Sequence, residues 1–119
     1  MKPDDRLCDA LAAQLDQLAD GCRNAEDVAA KLAKAGIKGK RSDDCGCPVS
    51  VWLARQIQPP PDWIVGAGID IAVVLAPGPL EMTEVAVAPV PDVIASFIVA
   101  FDDEYEFPEL EAVAPAPVS

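Results

Sequence analysis

Histidine is absent from this sequence. No Ser-His-Asp or Cys-His nucleophile pair can be built from it, and no metal site that depends on imidazole. Lysine and arginine are absent from residue 56 onward. All nine bases lie in residues 1–55, beside nine acids, and residues 56–119 carry eleven acids alone. The net charge is −11 and the pI about 4.1. Such a half repels phosphate, so nucleic-acid binding through it is not expected. It suits a basic partner, or mimicry of a nucleic acid before a protein that binds one. Solubility alone is the plainer reading of the same charge. Aromatics make up only 5% of the chain, so Trp52, Trp63, Phe97 and Phe101 are each expected to weigh heavily in the core. No apolar run approaches the roughly 18 residues of a membrane span. Asp4, Asp5 and Asp9 precede any apolar run, so no export signal is expected. Four cysteines then read as reduced thiols in a cytoplasm.

What is present is an apolar fraction of 51% over 119 residues, enough for one core. The stretch Gly36 to Ile57, GIKGKRSDDCGCPVSVWLARQI, organises the rest. Gly36 follows the helical pattern Val28, Leu32, Ala35 and suits the left-handed residue after a helix, with Ile37 folding back. Pro48 suits the first turn of a new helix beginning near Cys47, and Asp43 and Asp44 upstream suit its positive end. Val49, Trp52, Leu53, Gln56 and Ile57 fall on one face, and Pro59-Pro60-Pro61 stops that helix.

Upstream, Leu7, Leu11, Leu15 and Leu18 form one stripe of a helix over 4–20 that Gly21 ends, with Cys8 and Cys22 on the same stripe. Asn24 caps a second helix over 25–35, and Asp27 stands where a capping box places an acid. Lys31, Lys34, Lys38, Lys40 and Arg41 then put five bases within eleven residues. They read either as charges that complement helix ends or as a small anion-contact patch.

Downstream, residues 62–76 are rich in β-formers, with a bend or bulge at Gly66-Ala67-Gly68. Pro77-Gly78-Pro79 is a turn. Leu80 to Ala88 is a second strand with a register break near Thr83-Glu84. The sheet is antiparallel, with two strands, or three if the glycine pair makes a tight turn. Ile94, Phe97, Ile98 and Phe101 fall at i, i+3, i+4 and i+7, a helix face meant for the sheet. Asp102-Asp103-Glu104 ends that helix, and Tyr105 and Phe107 tuck back before Pro108.

The cysteines offer a weaker chemistry. Cys8, Cys22, Cys45 and Cys47 could make a four-thiolate zinc site, but Cys8 and Cys22 read as about 21 Å apart on one helix. Cys47 at a helix start could have a lowered thiol pKa, although no base stands nearby. Buried packing is the simpler role. Gly66-x-Gly68 lacks the third glycine and the following helix of a dinucleotide fingerprint. Asp102, Asp103 and Glu104 lack the glycine and terminal glutamate of a calcium loop.

The segments AEDVAAKLAKAGIKG, CPVSVWL and VPDVIASFIVAFDDEYEFPEL, with the strand region between them, resemble a group of small uncharacterised proteins of actinobacteria and their phages. The resemblance spans about residues 25–110. It is carried by Gly36, Cys47-Pro48, Pro91, Phe97 and Phe101-Asp102, and it departs at Val49-Ser50 and at Glu106-Phe107. It implies the helix, hairpin and Pro-led helix layout, and it implies no catalytic residue and no cofactor.

The expected fold is α+β: N-terminal helices, an antiparallel two- or three-stranded sheet, and a C-terminal helix packed on the sheet. One domain is expected over residues 1–110, with a flexible Pro/Ala tail over 111–119. The expected role is a non-catalytic acidic protein-interaction module, of a kind a phage would direct at a host protein. Its partner would have a basic surface and meet Asp102, Asp103 and Glu104. The alternatives are a nucleic-acid-associated module using Lys38, Lys40 and Arg41, or a cysteine-based metal or thiol protein. An open hairpin edge would also allow a homodimer.

Overall fold

The structure is a computed structural model, and it describes residues 4–41, 43, 45–104 and 106–111. Four α-helices and three strands follow in the order α1 (Asp5–Ala19), α2 (Ala25–Lys34), α3 (Pro48–Ile57), β1 (Ile64–Ala67), β2 (Ile71–Pro77), β3 (Met82–Pro89) and α4 (Asp92–Asp102). A 3₁₀ turn over Pro108–Leu110 completes the described chain. The class is α+β, and the sheet is antiparallel in the order β1-β2-β3.

Each helix begins and ends for a local chemical reason. The Asp4 carboxylate accepts from the Arg6 and Leu7 amides at the start of α1. Asn24 accepts from the Asp27 amide, while Asp27 accepts in return from the Arg23 amide. This is close to a capping box, shifted back by one residue. At the end of α2 the Ile37 amide donates to the Leu32 carbonyl and the Gly36 amide to the Ala33 carbonyl, both at 3.0 Å. Gly36 has φ +72° and Ile37 is buried. That is a complete Schellman close, and it is the one expected from Gly36-Ile37.

Asp43 stands just ahead of α3. Its side chain accepts from the Cys45 and Gly46 amides and closes a turn ahead of that helix. Asp44 lies outside the described residues. Cys47 is the cap of α3: its sulfur accepts from the Ser50 amide, and the Ser50 hydroxyl donates to the Cys47 carbonyl at 2.9 Å.

The sheet has three strands because the chain turns back at Gly68–Ile71, where the Gly68 amide donates to the Ile71 carbonyl. The register break lies between Val74 and Leu75 on β2, which pair with Ala86 and Glu84. Val85 is the extra residue of β3, so Val85 and Ala86 are both buried in succession. Leu80 does not belong to β3. It sits at the tip of the β2–β3 turn, 99% exposed.

The core joins Leu11, Leu15 and Leu18 of α1 to Val28 and Leu32 of α2, Val49 and Leu53 of α3, Val65, Ala72 and Val74 of the sheet, and Ile94, Phe97 and Phe101 of α4. The rings of Phe97 and Phe101 stack at 5.8 Å, and those of Phe97 and Phe107 at 5.5 Å. Phe107 therefore tucks back as expected; Tyr105 lies outside the described residues. α1 lies against β3 and α3 against β1, while α4 makes its main contact with α2. Of the expected tail, Glu111 is tied down by a parallel bridge to Gly39, and residues 112–119 lie outside the described residues.

Candidate partner interface

The basic segment after Gly36 runs extended, and its side chains alternate. Ile37 and Gly39 are buried, and Lys38 and Lys40 are exposed. Gly39 lies against the Gly46–Pro48 backbone so closely that a Cβ there would sit 2.4 Å from the Pro48 nitrogen. Arg41 continues on the inner side, with 9% of its side chain exposed. Its Nη1 donates to the carbonyls of Phe101 and Glu106. Its Nε pairs with Glu111 at 3.2 Å, and its guanidinium carbon stands 4.3 Å from the Phe101 ring centre.

The reason lies in the charge asymmetry. α4 has no base in its last turn and ends in acids, an unfavourable pairing with its negative end. No base follows residue 55, so the cation that complements this end must come from the first half of the chain. Lys31 does the same for α1, which also lacks a base in its last turn. Its ammonium donates to the carbonyls of Gln17, Leu18 and Asp20. Of the five clustered bases, Lys31 and Arg41 thus donate to helix-end carbonyls, and Lys34 stands in the last turn of α2. Lys38 and Lys40 remain outward, and Arg41 is not part of an exposed patch with them.

The cysteines divide similarly. Cys47 is buried against β1, with its thiol 3.8 Å from the Ala67 carbonyl. Burial pushes its pKa up, and the nearby charge of Asp102 pushes it the same way. The helix start does not activate it. Cys22 lies beyond the end of α1, where its thiol donates to the Leu18 carbonyl at 3.3 Å, so Cys8 and Cys22 do not share one helix. Cys8 accepts from the Val87 amide at 3.4 Å, and Cys45 is exposed. Among the described residues no group of three potential ligands converges on a metal position, and no helix is long and apolar enough to cross a membrane.

Both outer strands have a helix beside them. Along β3 the Asp4 amide donates to the Val85 carbonyl, and Cys8 takes the Val87 amide. Along β1, Val65, Gly66 and Ala67 are buried beside α3, and Cys47 donates to Ala67. On β3 these bonds take the Val85 carbonyl and the Val87 amide, and on β1 the contact takes the Ala67 carbonyl.

The acidic run splits as well. Asp102 is half-buried in the last turn of α4, and Asp103 and Glu104 are exposed. Beside them the β1–β2 turn brings up Ile69, 53% exposed, opposite Val99, 37% exposed. One open groove is lined by Ile69, Asp92, Ala95, Ser96, Val99 and Glu104. A second is lined by Gly68, Ile69, Ile98, Val99, Asp102 and Asp103. Every ionisable residue among those linings is an acid. Sequence reasoning found the acids and missed Ile69 and Val99. Val99 lies off the buried face that starts at Ile94, and that offset is its only local signal.

Comparison with protein-family models, with curated proteins and with solved structures finds no match for this chain.

Proposed function

We propose that the chain is a non-catalytic protein-interaction module whose partner presents apolar side chains flanked by lysine or arginine. The observation that supports it most is the exposure of Ile69 and Val99 within grooves whose only charges are carboxylates. Apolar contact would supply affinity there, and the acids would steer a basic surface and exclude acidic ones. A reducing cytoplasm is the setting that four unbridged cysteines suggest. A phage product acting on a host protein is the setting that the family resemblance suggests.

Immobilised protein is expected to retain partners from a lysate at low salt. It should release them as the Debye length falls from about 10 Å at 0.1 M to about 3 Å at 1 M. The double variant Asp103→Lys, Glu104→Lys should lose that retention. Nucleic acid should give no gel shift at low salt, because the exposed Lys38 and Lys40 act without Arg41. Retention indifferent to both salt and charge reversal would sink the reading.

A further inference from the structure

We infer that the outer face of the sheet receives an amphipathic α-helix of the partner, its apolar stripe bordered by lysine or arginine. This rests on the reading of the chain as a module for a basic partner, and it adds where and in what form that partner binds.

The inner face of the sheet is made by Val65, Ala67, Ala72, Val74, Ala86 and Ala88, all buried. The register places the other set outward: Ile64 and Gly66 on β1, Ile71, Val73 and Leu75 on β2, and Met82, Glu84 and Val87 on β3. An antiparallel sheet with one wet face normally alternates apolar and polar residues. Here the outward set is apolar except for Glu84. β2 reads IAVVLAP, an uninterrupted apolar run of the kind found where both faces are covered. Yet Ile71 is 46% exposed, and Gly66, Ile71, Val73 and Leu75 line an open groove with Ile69. The shortest dimension of the molecule is 22 Å, room for one sheet and one helix layer at a spacing of about 10 Å. Among the described residues the outer face has no helix upon it.

Two observations choose the occupant. With Asp4 and Cys8 taking the Val85 and Val87 groups of β3, and α3 lying beside β1, neither outer strand stands clear of the chain as an edge for a guest strand. A segment docking on the face by side chains alone must satisfy its own backbone, which a helix does and an extended strand does not. The β2 and β3 side of the rim is acidic: Glu84 stands beside Leu75, Asp70 in the β1–β2 turn and Glu81 in the β2–β3 turn, while Arg55 lines a groove with Ile64 at the β1 side. A second copy laid face to face would set acid against acid, whereas a basic-flanked helix meets the opposite sign. Through Ile69 the face continues into the grooves beside α4.

The test uses the full chain, isotopically labelled, titrated with a synthetic amphipathic peptide that carries a leucine stripe flanked by lysines. Two controls accompany it: the same composition scrambled, and glutamates in place of the lysines. Amide shifts are expected at Ile71, Val73, Leu75 and Val87 with the first peptide only. Val73→Glu and, at the more exposed position, Ile71→Glu should each weaken binding at least about tenfold, or about 1.4 kcal/mol, with the fold checked by circular dichroism. Equal binding of the scrambled peptide, or no shift with any peptide, would overturn the assignment. Shifts confined to Asp103 and Glu104 would overturn it too, yet leave the interaction reading standing. A dimer in sedimentation that Ile71→Glu dissociates would give the face to a second copy instead. The interaction reading itself fails separately, in the salt-dependent retention experiment.

Discussion

The guanidinium of Arg41 lies over the ring of Phe101 and donates to the carbonyl of the same residue, sixty positions further along the chain. One side chain thereby caps α4, covers an aromatic of the core and ties down Glu111. A cation over a desolvated ring contributes up to about 2 kcal/mol, and hydrogen bonds to a charged group about 1.5–3 kcal/mol. Arg41→Met is therefore expected to cost about 3 kcal/mol in urea denaturation. Arg41→Lys should recover less than half, because an ammonium lacks the planar fork that stacks on the Phe101 ring while the Nη1 and Nε of that fork point to different acceptors. Glu111→Gln should cost less than about 1 kcal/mol, since that carboxylate is 44% exposed and the pair is screened.

Gly36 and Gly39 are both expected to resist substitution, for different reasons. Gly36→Ala meets nothing within 4 Å but must hold φ near +72°, at about 1–2 kcal/mol. Gly39→Ala places a methyl against backbone atoms of Cys47 and Pro48, none of which is a flexible side chain. Overpacking of that kind costs about 1–3 kcal/mol or more. The variants separate in their structural response. Gly39→Ala should perturb amide shifts through Gly46–Ser50, and Gly36→Ala only near the end of α2.

Cys47 predicts a pH dependence whose sign follows from burial. Its folded pKa is raised above the ordinary 9.0, so the folded state holds the thiol proton more tightly than the unfolded chain does. The resulting stability is fully present below about pH 9 and is lost as pH rises through the folded value. Cys47→Ala should flatten the alkaline limb of the stability profile. In thiol titration of native protein Cys45 should react readily, and Cys47 only after denaturation.

Asp103 and Glu104 stand at the negative end of α4, where acids are unfavourable by about 0.3–1 kcal/mol each. Asp103→Lys and Glu104→Lys are accordingly expected to leave the melting temperature unchanged or higher while partner retention is lost. A fall in both would assign these residues to the fold rather than to recognition.

Elements with local causes were legible in the sequence. The Schellman close at Gly36-Ile37, the Asn24 cap and the Ile94-Phe97-Ile98-Phe101 face depend on residues within one or two turns, and each stands where the spacing puts it. Gly66-Ala67-Gly68 left two strands or three open, because glycine serves a bulge and a turn equally well; the Gly68–Ile71 turn makes three. Leu80 misled, since an apolar residue at a turn tip looks like the first residue of a strand. The role of Arg41 was out of reach because its partners lie at Phe101, Glu106 and Glu111. Only the alternation of Ile37, Gly39 and Arg41 against Lys38 and Lys40 hints at it. The outer sheet face was half visible: β2 is apolar in both parities, but which face stays open follows from where α1 and α3 lie.

The Gly39–Glu111 bridge carries a consequence for biosynthesis. A nascent chain halted near Asp102 holds the Arg41 guanidinium without the Glu106 carbonyl and without the Glu111 carboxylate that complete its contacts. Closure around Arg41 therefore waits on partners that are translated as much as seventy positions later, Glu111 among them.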